Sequence, residues 1–225
     1  MTTRSPFGTD EWYHCYCRGV DKRKVFLDQK DYKRFLLSLH VCNGPLSVHI
    51  SNLWRNKNFE DIMRSSFQDT PLVEIGAYCL MPNHFHLLLK ELEEGGISLF
   101  MQKVLTGYTM YFNKKYDRKG ALFANSFNSK HIADDRYFKK AISYIHLNPV
   151  ELEEGGWKKG MGDIEKIERN LRNYKYSSLH KFMGIDNPAN TLISNSIFDL
   201  FDSIPSTKEM LEDAQLYYQE HNIKV

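Results

Sequence analysis

Residues 72–90, LVEIGAYCLMPNHFHLLLK, constrain the fold more than any other stretch of the chain. Two apolar runs flank Met81-Pro82-Asn83, where the proline and asparagine are turn residues. This predicts strands over 72–80 and 84–90, joined as a hairpin. His84 and His86 interrupt the second run. Side chains alternate along a strand, so the two imidazoles share one face and Phe85 lies on the other. Valine or leucine would pack better at both positions. The pair therefore raises the question of what else the chain supplies around it.

The rest of the chain is that of an ordinary globular protein. Its 225 residues suffice for one domain with a sizeable core and a modest appendage, and 42% are hydrophobic. No apolar run is long enough to span a bilayer. The N-terminus, MTTRSPFGTDEW, has no signal-peptide core, so the expected compartment is the cytoplasm, with no membrane association. The four cysteines are expected to be free packed thiols, because the Cys15-x-Cys17 spacing suits zinc poorly and no second pair follows. Net charge is only +2, but its distribution is informative. Basic clusters occur at Lys22-Arg23-Lys24, Lys114-Lys115 with Arg118-Lys119, Lys139-Lys140 and Lys158-Lys159. Aromatics from Tyr108 to Tyr116, and again at Tyr137 and Phe138, interleave with the second and third. Such patches suit single-stranded nucleic acid, although solvated lysines above a packed aromatic core are the ordinary explanation.

Element by element, 11–18 reads as a strand and Asp28 caps a helix over 29–41, ended by Asn43-Gly44-Pro45. Residues 46–70 suggest one short helix at most. After the hairpin, a helix is expected over 97–116 and an extended segment from Gly120 to about 132. Asp134 caps a helix over 135–147, which Pro149 stops. Ser206 to Glu209 is a capping box opening a last helix. ELEEGG occurs twice, at 91–96 and 151–156, and reads as two independent turns. The order predicts an α+β fold: a ferredoxin-like βαββαβ antiparallel sheet with an added helix at 135–147. The expected division is a domain over 1–150 and a helical extension over 151–225.

Two imidazoles on one strand face can hold a divalent metal, and a hydrogen-bonded core pair is an equally good account of them alone. Their possible partners decide between the two. Tyr144 and Asn148 are one helical turn apart at the edge of the apolar stripe of the 135–147 helix. Asn148 offers a neutral oxygen and Tyr144 a hydroxyl, although a helix C-cap and a core-edge tyrosine are their bland readings. A nitrogen and oxygen set without thiolate favours Mg²⁺ or Mn²⁺. A tyrosine beside such an ion can attack phosphorus and keep the phosphate as an ester.

These residues carry a resemblance. YCLMPNHFHLLLK resembles the HUH (His-hydrophobic-His) motif of the single-tyrosine transposases, and RYFKKAISYIHLNPVE resembles their nucleophile helix. The similarity extends to YHCYCRGVDKRKVF, GISLFMQKVLTGYTMYFNKKYDRKGALF and YKYSSLHKFMG, and is nearest to the REP-associated tyrosine transposases. The resemblance implies His84, His86 and Asn148 as metal ligands and Tyr144 as nucleophile. It also implies a 5′-phosphotyrosine intermediate on single-stranded hairpin DNA, with no small-molecule cofactor. Expected DNA contacts are Arg18, Lys22, Arg23, Lys114, Lys115, Arg118 and Lys130. A monomer is slightly favoured over a dimer, nucleoid-associated when DNA is bound. Related sequences carry a basic Arg-Phe pair where this chain has Ala124-Asn125-Ser126-Phe127. The leading expectation is therefore a DNA strand transferase, and the alternative is a domesticated hairpin-binding protein that no longer cuts. A replication or conjugation initiator fits less well, because such proteins carry further domains.

Overall fold

The structure, a computed structural model, describes residues 6–46, 49–66, 70–153 and 163–221. Lys158, Lys159 and the end of the second ELEEGG lie outside these residues. Four strands, β1 (Trp12–Arg18), β2 (Val73–Met81), β3 (His84–Glu91) and β4 (Asn128–Ile132), form one sheet in the order β2-β3-β1-β4. Each neighbouring pair is antiparallel, as the βαββαβ arrangement requires. Pro82 and Asn83 alone connect β2 to β3. Their carbonyls are not idle: that of Pro82 accepts from Val25 N at 2.8 Å and that of Asn83 from Gly19 N at 2.8 Å. The hairpin tip is thereby tied to the loop after β1.

Strand register sorts the side chains into two layers. Residues paired across antiparallel strands point to the same face. Phe85 faces α1 (Gln29–Val41) and α4 (Gly96–Lys115): the Phe85 and Phe35 rings are 5.0 Å apart, and Tyr108 of α4 lies 5.0 Å from Phe35. On the other face, Trp12 packs against Phe138 of α5 (Asp135–Leu147) at 4.9 Å. The caps expected at Asp28 and Asp134 are present, the first as a full capping box with Asp31. Glu91, fully buried at the end of β3, accepts from Gly95 N at 2.7 Å and Ile97 N at 2.8 Å. It satisfies amides at the start of α4, the same groups a side-chain N-cap would serve. Gly95 itself has φ 80°, which glycine adopts without strain.

Three segments differ from expectation. The described residues of 46–70 contain two short helices, α2 (Ile50–Asn56) and α3 (Phe59–Arg64), rather than one. Phe59, Ile62 and Met63 bury α3, but six residues are too few to display a period. The extended stretch after Gly120 is mostly irregular, pinned to the end of β1 by a bridge from Phe123 to Gly19 and by bonds from Val20 N to Leu122 O and from Ala124 N to Arg18 O, and only Asn128–Ile132 is strand. The α5 helix ends at Leu147, as expected before Pro149, but the chain then continues as a 3₁₀ turn over Asn148–Leu152, with proline in its first turn, where no N–H is required.

Beyond this turn come α6 (Ile164–Asn173), α7 (Leu179–Phe182) and α8 (Thr207–His221). Ser206 opens α8 as a capping box with Glu209. Met210, Ala214 and Tyr217 form its buried stripe against α5, and Lys140 of α5 bonds Glu220 at 2.9 Å. None of the four cysteines is in a disulfide.

One buried group makes stability depend on pH. His146 is fully buried, its Nε2 lies 2.8 Å from Ser178 Oγ, and burial holds its imidazole at about 3. In the unfolded chain it titrates near 6.5. Below that pH the unfolded state gains a proton that the folded state refuses, so stability is lost as pH falls from 6.5 toward 3. The full loss is on the order of 5 kcal/mol. His40 and His180 are shifted the same way by burial, so the wild-type slope is shared. Urea denaturation of His146→Gln should give a shallower loss between pH 6.5 and 4 than wild type. Identical slopes would remove His146 as a source of acid sensitivity.

Candidate active site

The β1–β3 register places the candidate residues. Arg18 pairs with His84, Tyr16 with His86 and His14 with Leu88, while Lys130 of β4 pairs with His14. All of these face α5. The His84 and His86 rings are 5.0 Å apart and perpendicular, and the Tyr144 ring lies 5.6 Å from His86. Tyr144 is thus brought to the histidine pair, as expected, with Asn148 one turn further along.

Hydrogen bonds orient both imidazoles. His84 Nδ1 lies 2.7 Å from Asn83 Oδ1, and His86 Nδ1 lies 2.8 Å from His14 Nε2. A ring that donates from Nδ1 carries its lone pair on Nε2, the form that binds metal. Asn148 is 1% exposed; its Nδ2 donates to Tyr144 O at 2.8 Å, and its Oδ1 has no hydrogen-bond partner among the described residues. A buried amide oxygen left without a donor is costly, and a cation would satisfy it. The donor set, two imidazole nitrogens and one amide oxygen, therefore fits a divalent ion. Among the described residues no three His, Cys, Asp or Glu side chains gather at metal-binding distance, so any site here depends on that amide.

The pocket is covered. Tyr144 is fully buried, and Tyr217 and Tyr218 of α8 lie 5.4 Å and 6.4 Å from its ring. Burial pushes the Tyr144 phenol well above its ordinary value, and the charge of Glu151 adds to this. Tyr217 Oη lies 3.1 Å from His14 Nδ1. His14 and Tyr217 are site residues that the sequence reading missed. Even-numbered positions of β1 share a face, but nothing in the sequence says which strand that face meets.

The basic candidates separate into two groups. Arg18 sits opposite His84, and Lys130 one strand further, opposite His14. Arg18 and Lys22 line a cavity of about 310 Å³ with Tyr16, Asn125 and Asn128, and Lys130 is exposed on the same sheet face. Asn125 comes from the segment that departs from related sequences, and its carbonyl accepts from Cys17 Sγ at 3.3 Å. Arg23 is turned to its own loop, bonding Val20 O. The second group sits at the end of α4 in the opposite layer. Lys115 is engaged by Asp28 and Asp31, and Arg118 bonds Asn113. Lys114 lines a separate groove between α1, α2 and α4.

A sheet with an HUH pair facing a tyrosine-bearing helix defines the class of single-tyrosine nucleic-acid transposases. The sequence profile described as "Transposase IS200 like" matches residues 12–148, and the chain belongs to that family. A solved structure, a REP-associated tyrosine transposase bound to a REP hairpin, is similar in fold, with a TM-score of 0.52 and 13% identity. The match covers 84% of this chain and 90% of that one. A search of curated proteins returns no match. Among the described residues no helix is long and apolar enough to cross a membrane.

The unpartnered oxygen of Asn148 yields a stability test. If it is held for a ligand, Asn148→Leu removes a buried unsatisfied group and costs only one ordinary hydrogen bond. Thermal melting of the metal-free variant should match or exceed wild type. A loss above about 2 kcal/mol would mark the amide as structural.

Proposed function

We propose that the protein is a divalent-metal-dependent transferase of single-stranded hairpin DNA that works through a covalent tyrosine–DNA ester. The observation that carries this reading is the Tyr144 ring against His86, with the unsatisfied oxygen of Asn148 one turn away, in an IS200-like transposase chain. His84, His86 and Asn148 would hold Mg²⁺ or Mn²⁺, with Asn83 and His14 orienting the two rings. Once bound, the ion supplies Lewis-acid polarisation of a phosphoryl oxygen. Tyr144 Oη attacks phosphorus and the bond from phosphorus to the 3′ oxygen breaks. The 5′ phosphate stays on Tyr144, and the 3′ oxygen leaves as a hydroxyl, gaining one proton as the phenol loses one. Fixed placement of nucleophile and phosphate supplies much of the rate, up to about 7–11 kcal/mol in the best oriented cases. Arg18, Lys22 and Lys130 border this site and would neutralise backbone phosphates. The hairpin bound by the structurally similar transposase supports hairpin DNA as the partner here.

The cover over Tyr144 favours a second reading, a hairpin-binding protein that does not cut. With α8 docked, the Tyr144 hydroxyl is shielded from a phosphate, so cleavage requires the cover over it to open. One experiment separates the two. Wild-type protein is incubated with Mn²⁺ and single-stranded hairpins flanked by unpaired nucleotides, and adducts are resolved by denaturing electrophoresis. The transferase gives a covalent species that disappears in Tyr144→Phe and His84→Ala while hairpin binding persists. Peptide mapping that finds the phosphate on another tyrosine, or no adduct at all, defeats the transferase reading.

Binding itself is tested by salt. Arg18→Gln with Lys130→Gln should weaken hairpin binding and lower the slope of log affinity against log salt by about 1.4 if both meet single-stranded phosphates. An unchanged slope takes this edge out of the interface. The same measurement on Lys114→Gln with Arg118→Gln tests the opposite layer.

A further inference from the structure

We infer that His14 and Tyr217 are positioning residues for His86, forming a hydrogen-bonded relay that makes the C-terminal helix part of the metal site. The inference rests on the metal reading above and extends it to a strand residue and to a helix that lies outside the family-matched residues 12–148.

The geometry is a chain of three rings. His86 Nδ1 is 2.8 Å from His14 Nε2, and His14 Nδ1 is 3.1 Å from Tyr217 Oη. All three residues are fully buried, so bulk water does not compete for these bonds. A neutral imidazole has one N–H, which leaves the relay two senses. In one, Tyr217 donates to His14, His14 donates to His86, and the His86 proton sits on Nε2, where it blocks a metal. In the other, His86 Nδ1–H donates to His14 Nε2 and His14 Nδ1–H donates to Tyr217 Oη. Only this second sense presents the His86 Nε2 lone pair. It requires an acceptor beyond His14, because otherwise a buried N–H is left without one. Tyr217 supplies that oxygen. His84 needs no such help, since the amide oxygen of Asn83, next to it in the chain, is the acceptor while the Asn83 Nδ2 donates to Lys22 O.

The relay also explains why a histidine stands at position 14, in a strand whose neighbours on the other face are Cys15 and Cys17. Burying an imidazole costs its hydration, and a purely apolar side chain would fill the space without that cost. The stacking of α8 on Tyr144 needs only aromatic rings, whereas the bond to His14 needs the Tyr217 hydroxyl. Removing that hydroxyl therefore separates the relay from the packing.

Mn²⁺ binding to the full-length protein, followed by electron paramagnetic resonance, tests this without any DNA reaction. Tyr217→Phe keeps the ring and removes the acceptor, and its Kd for Mn²⁺ should rise by about 10-fold or more, as for other partners of metal-bound histidines. His14→Phe should do the same. His14→Gln, whose amide oxygen accepts from His86 while its NH₂ donates to Tyr217, should keep the Kd near wild type. A purely structural role predicts lower melting temperatures with unchanged Kd in every variant that remains folded. An unchanged Kd in Tyr217→Phe, or equal losses in His14→Gln and His14→Phe, overturns the relay while leaving the metal reading intact. A wild-type protein that binds no Mn²⁺ overturns the metal reading and the relay together.

Discussion

The pairing of β1 with β3 is the constraint on which the site depends. Seven residue pairs from Trp12–Lys90 to Arg18–His84 set the register, and they put His14, Tyr16 and Arg18 on the face of His84 and His86. A slip of one residue would turn Cys15 and Cys17 toward the imidazoles and send His14 into the layer of Phe35 and Phe85. Two features resist that slip. The hairpin of β2 and β3 has only two connecting residues, and its carbonyls are bonded by Gly19, Val25 and Phe26, just beyond β1. The apolar residues of the opposite face, Phe85 among them, would also lose their burial against α1 and α4.

The opposite layer is organised around a buried carboxylate. Asp31, fully buried, accepts from Leu27 N, Tyr111 Oη, Tyr116 Oη and Lys115 Nζ at 2.7–3.0 Å. These bonds join the start of α1 to the end of α4. A charge buried this deeply is tolerated only when its oxygens are satisfied, and here each oxygen has at least two partners. The consequence reaches function. Lys115, Tyr111 and Tyr116 belong to the cluster whose composition suggests nucleic acid, yet they are committed to this network. A basic and aromatic run in sequence does not distinguish cations offered to phosphate from cations held by carboxylates. Only placement does, and it sets Arg18 directly opposite His84, with Lys22 lining the same cavity as Arg18.

Legibility followed the range of the interactions. Caps at Asp28, Asp134 and Ser206, the Pro82-Asn83 turn and the stripe of α5 are local, and each is visible in a few adjacent residues. The pairing of Tyr144 with His86 was legible because one-turn spacing ties Tyr144 to Asn148 and chemistry ties both to the histidines. The α3 helix was not, because its six residues are fixed by burial against other elements rather than by their own pattern. His14 was hidden for a different reason: its role depends on a strand partner 72 residues away and a helix partner 203 residues away. Met210, Ala214 and Tyr217 repeat at helical spacing, which marks α8 as an element that docks. The sequence carries no signal that it docks on α5.

Where α8 docks matters more than that it docks. The helix 135–147 presents Tyr144 to the sheet, and one flank of that ring borders His14. Here α8 packs against the same ring. It stacks Tyr217 and Tyr218 on the Tyr144 ring and pairs Glu220 with Lys140, whose own exposure is only 3%. Aromatic stacking favours the docked helix, at about 0.5–1.5 kcal/mol for each pair. A charge pair buried on the lysine side adds less than its geometry suggests, because the ammonium has lost its hydration. Burial of Met210, Ala214 and Tyr217 adds a larger share, roughly 1.5–3 kcal/mol for a large apolar side chain, so α8 is a firmly held part of the site. Lifting the whole helix would also break the Tyr217–His14 bond, so an opening confined to the cover over Tyr144 is the course that keeps His86 oriented.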